Sequence, residues 1–195
     1  MGSTRLYLEY ELIDGNGRLL RKGRRRANSF VGNIIALLWS IMTSKNALSN
    51  EYIGVSRTGI VDTGNTARSL IISARLNAGV GDHTFGICVG TGTTAVAIDQ
   101  YNLASPITHG TAAGQLLYGI TTIESLIKGS TEWLFRIIRS FSNSTDSTIT
   151  VNEVGLFLQF SASYVAMLAR DLILGLDIAP GATLTMRYVL SHSIS

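Results

Sequence analysis

Nearly every position between residues 28 and 43 is apolar, in two stripes that recur at helical spacing. The first stripe consists of Phe30, Ile34, Leu37, Leu38 and Ile41, and the second of Val31, Ile35, Trp39 and Met42. A surface helix needs one apolar face, so a helix that is apolar all round has to be covered all round. The spacing therefore predicts a helix at about residues 29–43 that is buried under a second layer, and a neighbouring subunit is a plausible source of that layer.

Most of the remaining chain alternates between apolar and polar residues, as half-buried strands do. Clean alternation at residues 6–12 and 184–190 predicts strands near both ends of the chain. The segment Asp14-Gly15-Asn16-Gly17 is typical of a tight hairpin turn. Ala179-Pro180-Gly181-Ala182 has proline and glycine where a type II turn requires them. These patterns predict a mainly β chain.

The strand predicted at residues 148–160 changes phase near Asn152-Glu153, which is typical of a β-bulge. Residues 116–127 and 132–141 predict a second hairpin around Lys128-Gly129-Ser130. Several short strands together with one helix indicate a β-sandwich or a β-barrel.

Between residues 44 and 81 the apolar pattern weakens, and small, polar and glycine residues separate short apolar runs at 52–55 and 70–74. A long irregular segment in a compact domain is usually functional. We therefore expect one β-rich domain over residues 1–195, with an extended loop or arm at about 44–81 that reaches a neighbouring subunit.

The composition also indicates a covered surface. Charged residues make up 15% of the 195 residues and hydrophobic residues 46%, whereas an average chain has about 25% charged residues. This deficit of charge indicates that much of the exterior is covered when the protein works.

No segment of the chain predicts secretion or membrane insertion. Cys88 is the only cysteine, so an intrachain disulfide is impossible, and its apolar neighbours predict a small buried side chain. The apolar run at residues 30–42 is shorter than the roughly 20 residues that span a bilayer. We expect a soluble protein without a membrane partner.

Candidate catalytic and metal-binding groups are scattered. The turn Gly90-Thr91-Gly92-Thr93-Thr94 lacks the lysine and the following helix of a phosphate-binding loop, which favours a structural turn. His83, His109 and His192 lie far apart, whereas a zinc site needs three or four convergent ligands. We therefore expect no enzyme activity, no cofactor and no metal site.

The one concentrated run of charge consists of Arg21, Lys22, Arg24, Arg25 and Arg26. These cations could contact phosphate groups of a nucleic acid or an acidic patch on the next subunit, or lie at a solvated strand end. Arg139, Glu153 and Arg170 interrupt otherwise apolar strands, which allows buried or interface ion pairs among them.

Several segments resemble a widespread group of small structural proteins of tailed bacteriophages and related viruses. The resemblance lies in residues 28–31, 89–96, 99–103, 105–107, 139–143, 149–156, 168–171 and 184–188. It implies a β-rich subunit of a symmetric virion component, and it carries over no catalytic residue.

From the apolar segments and this resemblance we expect a self-assembling subunit of a phage-like tail tube, located in the virion and assembled in the host cytoplasm. Its partners would be further copies of itself and other virion proteins, with nucleic acid as a weaker expectation. The alternative is a discrete trimeric decoration, fibre or receptor-binding module. The expected interface residues are Phe30, Val31, Ile35, Trp39, Met42, Tyr52, Ile53, Leu70 and Ile72.

Overall fold

A computed structural model describes residues 3–27, 30, 74–161 and 164–194 of the chain. These residues form ten strands, and none of them lies in a helix. The strands are β1 Ser3–Ile13, β2 Leu19–Arg26, β3 Gly86–Gly90, β4 Leu117–Tyr118, β5 Thr122–Ile123, β6 Ile127–Lys128, β7 Glu132–Ser142, β8 Ile149–Ser161, β9 Tyr164–Ile178 and β10 Thr183–Ser193.

The strands form two antiparallel sheets. In the large sheet the order is β2-β1-β10-β7-β4, with the short strands β5 and β6 also paired to β7. In the small sheet the order is β3-β8-β9. One apolar core includes residues of both sheets, such as Leu8 and Leu184 of the large sheet and Ile87 and Leu156 of the small one. The described part of the chain is therefore mainly β and sandwich-like, as the sequence predicted.

Alternation along β1 and β10 explains how the large sheet faces the core. Leu6, Leu8 and Leu12 are buried, and Leu8 pairs with Tyr188 of β10, which is also buried. Successive side chains of a strand point to opposite faces, so the charged residues between the leucines lie on the outer face. The two strand predictions at the chain ends are confirmed.

The two predicted turns are also present. The Gly17 N–H donates to the Asp14 carbonyl at 3.0 Å, and Gly17 has a φ of 81°. The Ala182 N–H donates to the Ala179 carbonyl at 3.0 Å, with Gly181 at a φ of 75°. Gly181 is the third residue of its turn, where a positive φ is the mark of a type II turn and favours glycine. Gly17 is the fourth residue of its turn, so the first turn is not of this type.

The predicted bulge lies where the phase changes, but the additional residues are on the other strand. Val151 pairs with Leu176 and Glu153 with Leu172, so a single residue of β8 faces three of β9. Gly175 lies in this stretch at a φ of 73°, and its N–H donates to the Asn152 side-chain oxygen at 2.8 Å. The register change is confirmed, and its position on β8 is corrected to β9.

The predicted helix at 29–43 lies outside the described residues except for Phe30. Phe30 forms an antiparallel bridge with Ala169 of β9, so at this residue the chain is paired to a sheet, contrary to the helix prediction. The other expected interface residues, from Val31 to Ile72, also lie outside the described residues. Within the described ranges there is no helix that could span a membrane.

The end of the segment predicted as an arm is described from residue 74 onward and packs on the small sheet. Arg75 and Gln159 exchange two backbone hydrogen bonds at 2.8 and 3.0 Å. Ala78 is fully buried in the core. The part of the predicted arm before residue 74 lies outside the described residues.

Candidate functional site

The predicted basic cluster lies on β2, at one edge of the large sheet. Among the strands that the structure describes, β2 pairs with β1 alone. Arg21 and Arg25 stand opposite the buried residues Leu12 and Leu8, and so lie on the core-facing side. Lys22, Arg24 and Arg26 stand opposite Glu11, Glu9 and Tyr7 on the outer side.

Three of these five cations are engaged within the chain. Arg24 Nε lies 3.3 Å from Glu9 Oε1, and its guanidinium lies 4.2 Å from the centroid of the Tyr7 ring. On the core-facing side, Arg21 donates to the Gly175 carbonyl at 3.1 Å, and Arg25 Nη2 lies 3.8 Å from Asp171 Oδ1. The last two contacts tie the edge strand of the large sheet to β9 of the small sheet.

Asp171, the partner of Arg25, lies in the interior between the sheets. Its side chain accepts a hydrogen bond from the Tyr188 hydroxyl at 3.2 Å. Burial, followed by the adjacent carboxylate, raises the pKa of Tyr188 well above its ordinary value. Within the described residues, Lys22 and Arg26 make no ion pair closer than 4.0 Å, so only part of the basic cluster is available to an external anion.

The glycine-threonine turn is occupied by the carboxylate of Glu153. Glu153 Oε1 accepts the N–H groups of Gly92 at 3.0 Å and Ser105 at 2.8 Å, and Oε2 accepts that of Ala104 at 3.0 Å. A carboxylate held by several backbone N–H groups fills the place that an external phosphate would need. This geometry agrees with the structural interpretation of the turn.

Arg170 completes this arrangement. Its Nε donates to Glu153 Oε2 at 2.7 Å, and both side chains are fully shielded from solvent. A Cβ on Gly90 would lie 2.5 Å from the Ser105 carbonyl oxygen, which explains the glycine at that position. The ion pair suggested by the sequence for Glu153 and Arg170 is confirmed.

Arg139 has a different role from the one expected, because it binds backbone carbonyls and does not pair with Glu153. Its guanidinium donates to five carbonyl oxygens, those of Gly79, Asp82, Phe85, Ile87 and Gly119. It also lies 4.8 Å from the centroid of the Tyr118 ring. Burial is the main cause that lowers the pKa of Arg139. Arg139 thus fastens two loops to β7.

The remaining polar candidates do not converge. Cys88 is buried, as expected, and its Sγ contacts the His83 carbonyl oxygen at 3.3 Å. His109 Nδ1 accepts the Tyr118 N–H at 3.1 Å. The ranges that the structure describes contain no group of three or more His, Cys, Asp or Glu side chains placed to hold a metal ion.

The most conspicuous surface feature surrounds the β6–β7 hairpin at the end of the large sheet. Large apolar side chains are exposed there, and we call this set the apolar hairpin surface. Its members, with their exposed fractions, are Ile123 (44%), Leu126 (47%), Ile127 (48%), Trp133 (51%) and Ile194 (58%).

The register of the hairpin places these side chains on both of its faces. Ile127 pairs with Leu134 on the outer face, whereas Trp133 pairs with Lys128 and His192 on the core-facing side. The Lys128 Nζ lies 5.1 Å from the centroid of the Trp133 ring. The hairpin therefore offers apolar surface on two sides.

Beside Trp133 the surface forms a shallow groove of about 440 Å³. Its walls are Ser130, Thr131, Trp133, His192 and Ile194. The Ile194 N–H donates to the Thr131 carbonyl at 2.9 Å, which fastens the chain end to the hairpin turn. The groove is thus built from paired backbone and is lined mainly by apolar atoms.

The sequence predicted this hairpin but not its apolar surface. Trp133, Phe135 and Ile137 alternate along one face of β7, and that face is buried only from Ile137 onward. The missed signal was the second apolar series, Ile127 with Leu134, which occupies the opposite face. No known protein family, curated protein sequence or solved structure matches the chain.

Proposed function

We propose that this chain is a self-assembling structural subunit of a phage-like virion, which forms a tail tube of stacked rings or a helical array by packing against its own copies. The observation that carries the assembly part is the apolar hairpin surface, exposed on two faces of one strand pair. The virion part rests on the sequence resemblance described above.

At this end of the large sheet β7 lies between β6 and β10, and a sheet end with exposed apolar side chains on both faces is poorly suited to face water. Contiguous exposed apolar patches usually mark interaction surfaces, and burial of apolar area contributes roughly 25 cal/mol per Å². Trp133 is half exposed, and tryptophan is enriched among residues that dominate binding energy. Contact with another copy would remove this surface from water.

The opposite edge of the large sheet is poorly suited to self-association, which favours the hairpin end as the site of assembly. Lysine and arginine on an edge strand hinder pairing with another strand, and β2 has five such residues among its eight. Copies of the chain repel one another at β2 and can pack at the apolar hairpin surface. Assembly therefore uses the hairpin end of the sheet.

The alternative is a discrete trimeric decoration, fibre or receptor-binding module. The exposed aromatic residue Tyr101, which lies in a loop and is 38% exposed, favours this second function. A closed trimer would bury the apolar hairpin surface and leave the loop free to bind a partner.

Electron microscopy of the purified full-length chain over a range of concentrations tests these functions. Filaments or stacked rings would support the tail tube, whereas uniform trimers would support the alternative. Single 21.0 kDa particles at every concentration would contradict both. Trp133→Glu is the matched variant for the interface and should reduce assembly without loss of the fold, because its side chain is half exposed.

A further inference from the structure

The described surface has a second prominent apolar feature, at the tip of the loop formed by residues 91–105, which we call the Glu153 loop. Ile98 is 78% exposed, more than any other large hydrophobic residue described. Asp99 beside it is also exposed, and so is Tyr101. The tip therefore presents one protruding aliphatic side chain next to a carboxylate.

The base of the Glu153 loop is held firmly. Gly92 at one end and Ala104 and Ser105 at the other all donate to the same buried carboxylate. Gln100 near the tip accepts a hydrogen bond from Arg170 Nη1 at 3.0 Å. A loop fixed before binding loses little conformational freedom on contact with a partner.

The Glu153 loop and the Trp133 groove lie toward opposite ends of the sandwich. Asn143 joins the sheets at one end, where its side-chain nitrogen donates to the Ile178 carbonyl and its backbone pairs with Ala182. Ile178 pairs with Ile149, four residues before Glu153, which places the loop base in that half. Trp133 pairs with His192 at the other end, beside the first residue of β1.

We infer that Ile98 of one copy inserts into the Trp133 groove of the next copy, in a head-to-tail contact. This inference rests on the proposed self-assembly and names the surfaces that carry it. In a head-to-tail contact each copy uses one surface to bind the next copy and keeps its other surface free for a further copy. Repetition of this contact therefore produces a ring or a helical array. A subunit of a tube or ring needs a contact of this kind.

Charge complementarity supports the second copy as the occupant of the groove. Lys128 and His192 share the face of Trp133, because both pair directly with it. Asp99 next to Ile98 would lie against these groups when the tip enters. Glu132 pairs with Ser193 and, as the residue before Trp133, points to the opposite face of β7.

The experiment uses two full-length variants that each remove one half of the contact. Ile98→Asp destroys the tip and leaves the groove, and Trp133→Glu destroys the groove and leaves the tip. Ile98 is 78% exposed and Trp133 is 51% exposed, so both variants should keep the fold. We expect each variant alone to need at least about tenfold higher concentration to assemble than the parent chain, as for a residue that dominates an interface.

An equimolar mixture of the two variants provides the decisive measurement. The intact tip of the Trp133→Glu chain can enter the intact groove of the Ile98→Asp chain, and growth then stops. We expect sedimentation to show a species of twice the 21.0 kDa chain mass that neither variant forms alone. Val80→Asp is the matched control, since Val80 is 77% exposed and lies outside both surfaces.

The outcomes separate this inference from the proposed function. If the parent chain assembles and either variant assembles equally well, or if the mixture contains no dimer, the head-to-tail contact is wrong and self-assembly stands. A parent chain that stays monomeric at every concentration overturns both. Reversal of the charges gives an independent check: Asp99→Lys should weaken assembly, and the further substitution Lys128→Asp should restore it.

Discussion

Glu153 and Arg170 lie in the interior of the protein and form an ion pair through Arg170 Nε and Glu153 Oε2. The carboxylate has four donors, namely three backbone N–H groups and the Arg170 guanidinium. A buried charge without a partner destabilises the folded state. Loss of one member of the pair would therefore leave the other as an unpaired charge in the low-dielectric interior. Because this pair holds both ends of the Glu153 loop, it fixes the position of the loop as well as stabilising the fold.

Glu153→Gln should reduce the free energy of unfolding by about 3–5 kcal/mol, because Arg170 loses its ionic partner and the amide nitrogen faces hydrogen-bond donors. Urea denaturation measures the change. Glu124→Gln is the control, since Glu124 pairs with Arg136 at 2.8 Å but is partly exposed, and its loss should cost no more than about 1 kcal/mol. Equal effects of the two substitutions would contradict a special role for the buried pair.

The buried hydroxyls of Tyr118 and Tyr188 should make the free energy of unfolding depend on pH in the alkaline range. Burial raises the pKa of both hydroxyls above the ordinary value, whereas in the unfolded chain tyrosine ionises near pH 10. The stabilisation is fully present below about pH 10, and it is lost as the pH rises above that value because only the unfolded chain releases the protons.

Urea midpoints measured from pH 8 to pH 11 should therefore fall steeply above about pH 10 in the parent chain. The decline should be shallower in Tyr188→Phe, which cannot release that proton. Tyr7→Phe is the control, because Tyr7 lies on the outer face and is only half-buried. Parallel declines in the parent chain and Tyr188→Phe would show that the buried hydroxyl makes no contribution.

At the residue scale, the sequence revealed charges but not all of their partners. Glu153 and Arg170 could be suspected because each interrupts an apolar strand. The partners of Arg139 could not be inferred, because every residue has a carbonyl and only the fold decides which five converge. The position of Glu153 in the glycine-threonine turn likewise depends on long-range pairing of β3 with β8.

At the scale of elements, Arg139 connects β7 to the loops before β3 and after β4. Arg139→Lys should reduce the free energy of unfolding by about 2–4 kcal/mol, because an ammonium group cannot reach five carbonyl oxygens and leaves some of them unpaired in the interior. Arg136→Lys tests the specificity of the effect. Arg136 lies on the same strand but on the outer face, where the change should be below about 1 kcal/mol.

Thermal and urea unfolding of these two variants give the comparison. If Arg139→Lys unfolds at the parent's urea midpoint, the carbonyl contacts do not stabilise the fold and the proposed fastening of the loops is incorrect.

Local signals predicted the β1–β2 hairpin and the turns correctly because proline, glycine and strict alternation act over a few residues. The predicted hairpin arm at residues 116–127 is instead divided among the short strands β4, β5 and β6. The bulge was placed on the wrong strand because a phase change in β8 shows only that the register shifts, and the compensating residues around Gly175 lie on β9. The apolar hairpin surface was missed for a related reason. Trp133 has the alternation of a core residue, and only the extent of the small sheet decides where the core ends.

At the scale of the whole molecule, the two ends and edges of the sandwich differ in character. β2 presents cations at one edge, and the apolar hairpin surface lies at the end of the strands on the other side of the sheet. Only 15% of the residues are charged, so few charged side chains are available to keep the apolar end of the molecule soluble. This asymmetry favours packing through one region and repulsion at another, which is what an ordered assembly requires.

Sedimentation equilibrium of the parent chain over a wide concentration range tests the central claim, that the protein associates with its own copies, most directly. We predict that the average mass rises from 21.0 kDa at low concentration to multiples of that value, and that Trp133→Glu shifts the rise to higher concentration. A mass of 21.0 kDa throughout the range, with the fold intact, would contradict the account.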